Sequence, residues 1–330
     1  MNLRGGMWTV GITVLLVGLL LFAVAVYWSN EPDLFDIQQV AEEQAASRNE
    51  TLVTGYATTS ALIMVASKLL DKPGGYLSND VLPPSVFMDN MPSWEYGVLV
   101  QVRDLTRVLR NDISRGQTQS KENLDLAKAE PQFSVDNEAW LFPAAETEYR
   151  KGIKALKNYL AGVADTTNTG TQFYSRADNL RDWLKVVANR LGSLSQRLSA
   201  SVGQVRINTD LAGDADAQQS TQPNFEVGIK TPWLEIDDVF YEARGTCWAL
   251  IHFLRAMEID FKEVLEKKNA LRSVQQITRE LEATQRTVWS PMVLNGPDFG
   301  FTANYSLVMS SYIARANAGI IDLNNLLSQG

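Results

Sequence analysis

From Met7 to Trp28 the chain runs through 22 residues, MWTVGITVLLVGLLLFAVAVYW, without one charged side chain. A helix crosses a hydrocarbon core with about 20 apolar residues, so this run is long enough to span a membrane. Trp8 stands at one end of it and Tyr27 and Trp28 at the other, where amphipathic rings favour the membrane–water interface. No later stretch repeats the pattern, which predicts a single membrane-spanning anchor in contact with the lipid bilayer. Arg4 and the amino terminus flank one end, and Glu31, Asp33 and Asp36 the other. Basic residues stay on the cytoplasmic side, which places the N-terminus inside and residues from Ser29 onward outside. The rival reading is a cleaved signal peptide, since Ala23-Val24-Ala25 imitates a cleavage site. The length of the apolar run and its closing aromatic pair favour an uncleaved anchor. Only about six residues precede it, so no cytoplasmic output domain is expected.

About 300 residues remain beyond the anchor, enough for one large or two ordinary domains with their own cores. The net charge of −8 argues against nucleic acid as a partner, since binding phosphate backbones needs a basic face. The one cysteine, Cys247, lies in an apolar helical pattern and reads as a small buried hydrophobe.

Helical periodicity dominates the chain beyond the anchor, and the expected fold class is all-α: one N-terminal transmembrane helix, then an elongated multi-helix bundle. Residues 33–70 read as one long helix or two joined ones, apolar at Leu52, Tyr56, Thr59, Ile63, Ala66 and Leu70. Lys72-Pro73-Gly74-Gly75 ends it. Ser93 reads as the cap of a helix with Trp94, Val98, Val102, Leu105, Leu109 and Ile113 on one stripe. A short helix is expected near 122–129, an irregular segment over 131–143, and a further helix over 144–164. From Phe173 to Val205, apolar residues recur at alternating steps of four and three, a heptad seam whose partner helix lies either in this chain or in another. Residues 213–230 are small and polar and read as a flexible linker. The expected organisation is therefore a stub and anchor over 1–30, a helical lobe over 31–212, the linker over 213–230, and a second lobe over 231–330 packing on the first. In that second lobe Thr231-Pro232 reads as a helix start, with Trp233, Ile236, Phe240, Cys247, Ile251 and Leu254 on its buried face.

Two loops are unusually apolar and are candidate docking surfaces: Val86, Phe87, Met88 and Met91 in one, Met292, Val293, Leu294 and Phe299 in the other. Arg103, Arg107 and Arg110 fall on one helix side, away from the apolar stripe; they read as an anion-facing stripe or as a solvated face. His252 is the only histidine, so the common zinc sites have too few ligands, and a Ser–His–acid triad would have to use this residue, which sits in an apolar helix beside Phe253. It reads as a core or interface residue. No phosphate-cradling glycine pattern occurs, and no cofactor or metal is expected. Glu235, Asp238, Glu242 and Arg255 form the one candidate polar cluster, and paired carboxylates of this kind can cleave a glycosidic bond.

The stretches Lys72-Pro73-Gly74-Gly75-Tyr76-Leu77-Ser78-Asn79-Asp80, Trp94-Glu95-Tyr96-Gly97, Thr231-Pro232-Trp233-Leu234-Glu235-Ile236-Asp237-Asp238 and Ser310-Ser311-Tyr312-Ile313-Ala314-Arg315-Ala316-Asn317 resemble an uncharacterised family of bacterial inner-membrane-anchored proteins, known only as a domain of unknown function. The resemblance spans nearly the whole chain and implies a Gram-negative envelope protein with one N-terminal anchor. It implies no activity and no functional residues. The expectation is a non-enzymatic periplasmic scaffold or interaction protein working with other envelope proteins or with copies of itself. The alternatives are a cell-wall-acting enzyme using paired carboxylates and a ligand-sensing bundle that needs a partner for output.

Overall fold

The computed structural model describes residues 3–116, 121–168, 170–207, 226–290, 292–297 and 300–329. Among these the helices are α1 (Leu3–Trp28), α2 (Ile37–Arg48), α3 (Tyr56–Asp71), α4 (Asn90–Val108), α5 (Leu124–Phe133), α6 (Ala145–Ala164), α7 (Ala177–Ser199), α8 (Ile236–Asp260), α9 (Lys262–Lys267), α10 (Leu271–Ala283) and α11 (Tyr305–Ser328). The fold is all-α apart from one short antiparallel pair, β1 (Gln204–Ile207) and β2 (Glu226–Ile229), with Gln204 opposite Ile229. Within α1, Trp8–Trp28 is long and apolar enough to cross a membrane.

Most residues of the predicted stripes form the core; Leu52, expected on the stripe of residues 33–70, lies between α2 and α3 and is exposed. Trp94, Val98, Val102, Leu105, Leu109 and Ile113 are all fully buried, as are Leu156 and Leu160 of α6 and Ile320 and Leu323 of α11. The heptad seam is used inside the chain. Leu180, Leu184, Val187, Leu191, Leu194 and Leu198 of α7 are buried, and α7 lies along α11. The seam ends at Ser199, sooner than its periodicity suggests: Val205 is in β1 and exposed.

The expected linker is in part a strand. Residues 226–229 form β2, and 208–225 lie outside the described residues. The segments on either side share one apolar core, in which Trp94 of α4 meets Trp248 of α8 with ring centroids 5.2 Å apart. Those two helices cross at backbone contact. A Cβ on Gly97 would stand 2.1 Å from the Glu242 carbonyl oxygen, and one on Gly245 2.0 Å from that of Trp94. Only glycine fits at both positions.

Several boundaries differ from expectation for local reasons. α4 begins at Asn90, capped by Asp89, so Ser93 lies within the helix and its hydroxyl donates instead to Asp238 of α8. α5 runs through Pro131 to Phe133, because a proline in a short helix's later turns need only forgo one bond. The helix expected from Thr231 opens as a single 3-10 turn over Trp233–Glu235, and Trp233 is exposed rather than buried. α8 stops at Asp260, with α9 and a left-handed Asn269 before α10.

Candidate functional site

The segment that follows α1 is fastened to the middle of α8. Arg244, only 7% exposed at its side chain, holds Glu31 through Nε and Nη2 at 2.7 and 2.6 Å. The same guanidinium donates from Nη1 to the carbonyls of Thr284 and Arg286, so it joins three segments at once. Burial opposes the Arg244 charge, but the bonds and charge of Glu31 more than offset it and its pKa rises. Two turns along α8, His252 is fully buried. Its ring stacks on Phe35 with centroids 3.8 Å apart. Its Nε2 accepts the Phe35 backbone N–H at 3.2 Å, and its Nδ1 lies 2.7 Å from the Trp248 carbonyl. Nδ1 therefore carries the proton and the ring is neutral. Burial pushes the His252 pKa down to about 3, with the Arg255 charge acting in the same direction.

A second knot lies beside it. Lys72 and Glu95 pair at 2.5 Å with neither side chain exposed. The Glu95 carboxylate also accepts the backbone N–H groups of Leu77 and Ser78 at 2.8 Å each, and the Ser78 hydroxyl, so the 72–80 loop is wrapped around one buried acid. Burial raises the Glu95 pKa, and Lys72 pulls it back. Gly74 of this loop takes the Trp28 indole against its Cα, where a Cβ would fall 2.7 Å from the ring. The last turn of α1 is thus seated on the bundle.

Further along α8, Asp260 caps another helix. Its carboxylate accepts from Gly55 N at 2.8 Å and Thr58 N at 2.6 Å, the first turn of α3, which has no cap of its own. Burial raises the Asp260 pKa against these bonds. A cleft of about 960 Å³ opens beside this cap, lined in part by Phe35, Val53, Tyr56, Arg255 and Lys262.

The candidate polar cluster does not converge. Glu242 pairs with Arg197 of α7, Asp238 accepts from Ser93, Arg255 holds Glu282 at 2.8 Å, and Glu235 is exposed. The arginine stripe finds partners within the chain, on α5 and the residues flanking it. Arg103 donates to the Phe133 and Val135 carbonyls, and Arg107 and Arg110 pair with Glu130 and, for Arg110, also Glu122. Of the apolar loops, Val86, Phe87 and Met292 are exposed, Met88, Val293 and Leu294 are half-buried, and Met91 is buried in the first turn of α4. Phe299 lies outside the described residues. Trp8 and Tyr27 stand exposed on α1. Cys247 is fully buried, its thiol pushed up to about 12 by burial. Among the described residues no group of three or more His, Cys, Asp or Glu is placed to hold a metal.

The residues of these separate knots, Glu31 with Arg244, Phe35 with His252, Lys72 with Glu95, and Asp260 at the start of α3, share no spacing in the sequence. The usable signal was a charged residue beside or within an apolar stripe, as with Glu95 next to Trp94 and Arg244 before Cys247.

A family described as an uncharacterised protein conserved in bacteria, DUF2333, matches residues 1–330. The chain belongs to this family. No curated protein and no solved structure matches it. Two of the stretches that carry the DUF2333 resemblance, Lys72–Asp80 and Trp94–Gly97, meet in the Lys72–Glu95 knot.

Proposed function

We propose that this DUF2333 protein is a non-enzymatic, single-pass membrane-anchored scaffold or interaction protein of the bacterial cell envelope. Its N-terminus lies in the cytoplasm and its bundle in the periplasm at the inner membrane. One observation carries the reading: residues 29–36, which would be a free tether in a merely anchored domain, are locked to α8 by the Glu31–Arg244 pair and the Phe35–His252 stack. A bundle fixed at a set height and angle to its anchor suits presentation of a surface to other envelope proteins or to copies of itself. The charged groups of the interior serve packing and capping, which supports a structural role over a catalytic one. The test has two parts. A reporter enzyme active only outside the cytoplasm, fused after Gly330, should be active; a cytosolic reporter signal overturns the topology. Site-specific photocrosslinking in membranes from exposed positions away from the α1 end, such as Ile321, should give discrete protein adducts; their absence at every exposed position tried overturns the interaction role. The cleft of about 960 Å³ beside Phe35 favours a ligand-sensing bundle as the second reading. A small molecule retained through purification and identified by mass spectrometry would promote it.

A further inference from the structure

The exposed aromatic rings outside α1 are not scattered. Among the described residues they are Phe87, Tyr96, Trp140, Phe142, Trp233, Trp289 and Phe301. All belong to the end of the bundle where α1 joins it, as a short chain of contacts shows. Trp28 rests on Gly74. In the same loop, the Tyr76 hydroxyl donates to the Asn137 carbonyl and Asn79 donates to the Ala139 carbonyl at 2.9 Å, which places Trp140 and Phe142 one to three residues away. The Ser78 hydroxyl donates to the Pro92 carbonyl and Ser93 to Asp238, which brings in Phe87, Tyr96 and Trp233, each within six residues of one of those groups. Glu31 holds Arg244, which holds the Arg286 carbonyl, three residues before Trp289. The Asn295–Asn304 bridge then ties in the loop carrying Phe301. The opposite end, where Asp260 caps α3 and Lys268 reaches the Gln329 carbonyl, exposes Leu52, Leu124, Ile259 and Leu326 but, among the described residues, no aromatic ring.

The tips also lack charge. Residues 81–88, 139–145, 231–234 and 287–297 contain no Asp, Glu, Lys or Arg, in a chain that is 21% charged overall. α1 itself is half-buried at Leu21, Val24, Ala25 and Trp28, one helical face, so cover reaches about 10 Å back along the apolar run from Trp28. Large exposed apolar patches are uncommon on a soluble surface, and tryptophan and tyrosine are enriched at the membrane–water boundary.

We infer that this end of the bundle is a membrane-seated base, whose uncharged aromatic tips enter the headgroup region of the bilayer that α1 crosses. The inference rests on the reading of α1 as a membrane span and adds a second, monotopic contact to it. The occupant is a lipid surface, met through apolar insertion. With no Lys or Arg in the tips, binding is indifferent to anionic lipid, unlike a polybasic contact.

The test uses the full-length protein reconstituted in phosphatidylcholine nanodiscs. Single cysteines are introduced as Phe142→Cys, Trp233→Cys and Trp289→Cys at the base, Leu124→Cys at the far end and Leu16→Cys within α1, each labelled with a polarity-sensitive fluorophore. Cys247 stays in place, buried and unlabelled. Labels at 142, 233 and 289 should shift to the blue and lose emission to a shallow lipid-borne quencher, unchanged when a third of the lipid is made anionic, while the label at 124 remains quenched only by aqueous iodide. If Leu16→Cys reports lipid and the three base labels report water, the base is overturned with the anchor intact. If Leu16→Cys itself reports water, the span is overturned and the base with it. Base labels shielded from both quenchers mean that a second copy of the chain covers the tips, which also overturns the lipid assignment.

Discussion

Acidification should undo the fastening of residues 31–36 before it affects the rest of the core. His252 is neutral in the closed state, with a pKa of about 3, whereas a hydrated histidine titrates near 6.5. A base whose pKa is depressed in the closed state stabilises that state fully above about pH 6.5 and loses this contribution as the pH falls toward 3. If release of Phe35 wets the ring, the opening constant scales with 1 + 10^(6.5−pH), which grows about 30-fold between pH 7.5 and 5, or about 2 kcal/mol. Glu95 and Asp260 act in the opposite sense, since burial raises both pKa values and protonation on the folded side favours the native state. A global melting curve would therefore mix the two signs, and a local readout is needed. Hydrogen exchange by mass spectrometry over residues 31–40, corrected for the intrinsic pH dependence of amide exchange, supplies it. Protection there should fall by more than tenfold from pH 7.5 to 5 while the middle of α4 stays constant. His252→Gln, which cannot titrate, should show weaker protection with no pH dependence. Protection that is flat in the wild type, or an unchanged pH dependence in His252→Gln, would refute the reasoning.

Other perturbations bear on the same knots. Lys72→Met leaves the Glu95 carboxylate buried without its cation and should cost about 3–5 kcal/mol, read as a fall in melting temperature on the order of 10 °C. That deficit should shrink as pH drops and Glu95 takes up a proton, and Glu95→Gln in the same chain should recover part of it. Gly97→Ala drives a methyl into the Glu242 carbonyl, which is backbone and cannot swing aside, so a loss of about 3 kcal/mol or more is expected in chemical denaturation. A loss below about 1 kcal/mol would mean that α4 and α8 can slide apart. Arg244→Met strips Glu31 and two buried carbonyls of their donor and should make the 29–36 segment susceptible to limited proteolysis, with Glu31→Gln a milder version of the same effect.

Amphipathic stripes made the helical fold legible, because burying one face every three to four residues leaves a pattern that needs no knowledge of the partner. The stripe from Trp94 to Ile113 and the α7 stripe from Leu180 to Leu198 are examples, each buried as spaced. Trp233 misled for the same reason: its spacing fits the α8 stripe, but spacing cannot tell that the first turn overhangs the end of the bundle. The knots were not legible because their members lie far apart in sequence. Nothing local marks Glu31 as the partner of Arg244, or Asp260 as the cap of a helix that begins two hundred residues earlier. Arg103, Arg107 and Arg110 were visible as a stripe, but Glu122 and Glu130, the acids that meet the last two, sit beyond a turn whose path periodicity does not specify.

The separations in these pairs have a consequence for how the protein is made. Glu31 waits for Arg244, Phe35 for His252 and Gly55 for Asp260, at distances of 213, 217 and 205 residues along the chain. A ribosome adding about 5–20 residues per second needs roughly 10–40 s to cover that interval. For that time the first two hundred residues exist without the helix that completes them, with the start of α3 uncapped and the faces meant for α8 open. The polypeptide therefore closes from its late-made portion back onto its early one, and a chain truncated before residue 260 should stay a substrate for chaperones and proteases.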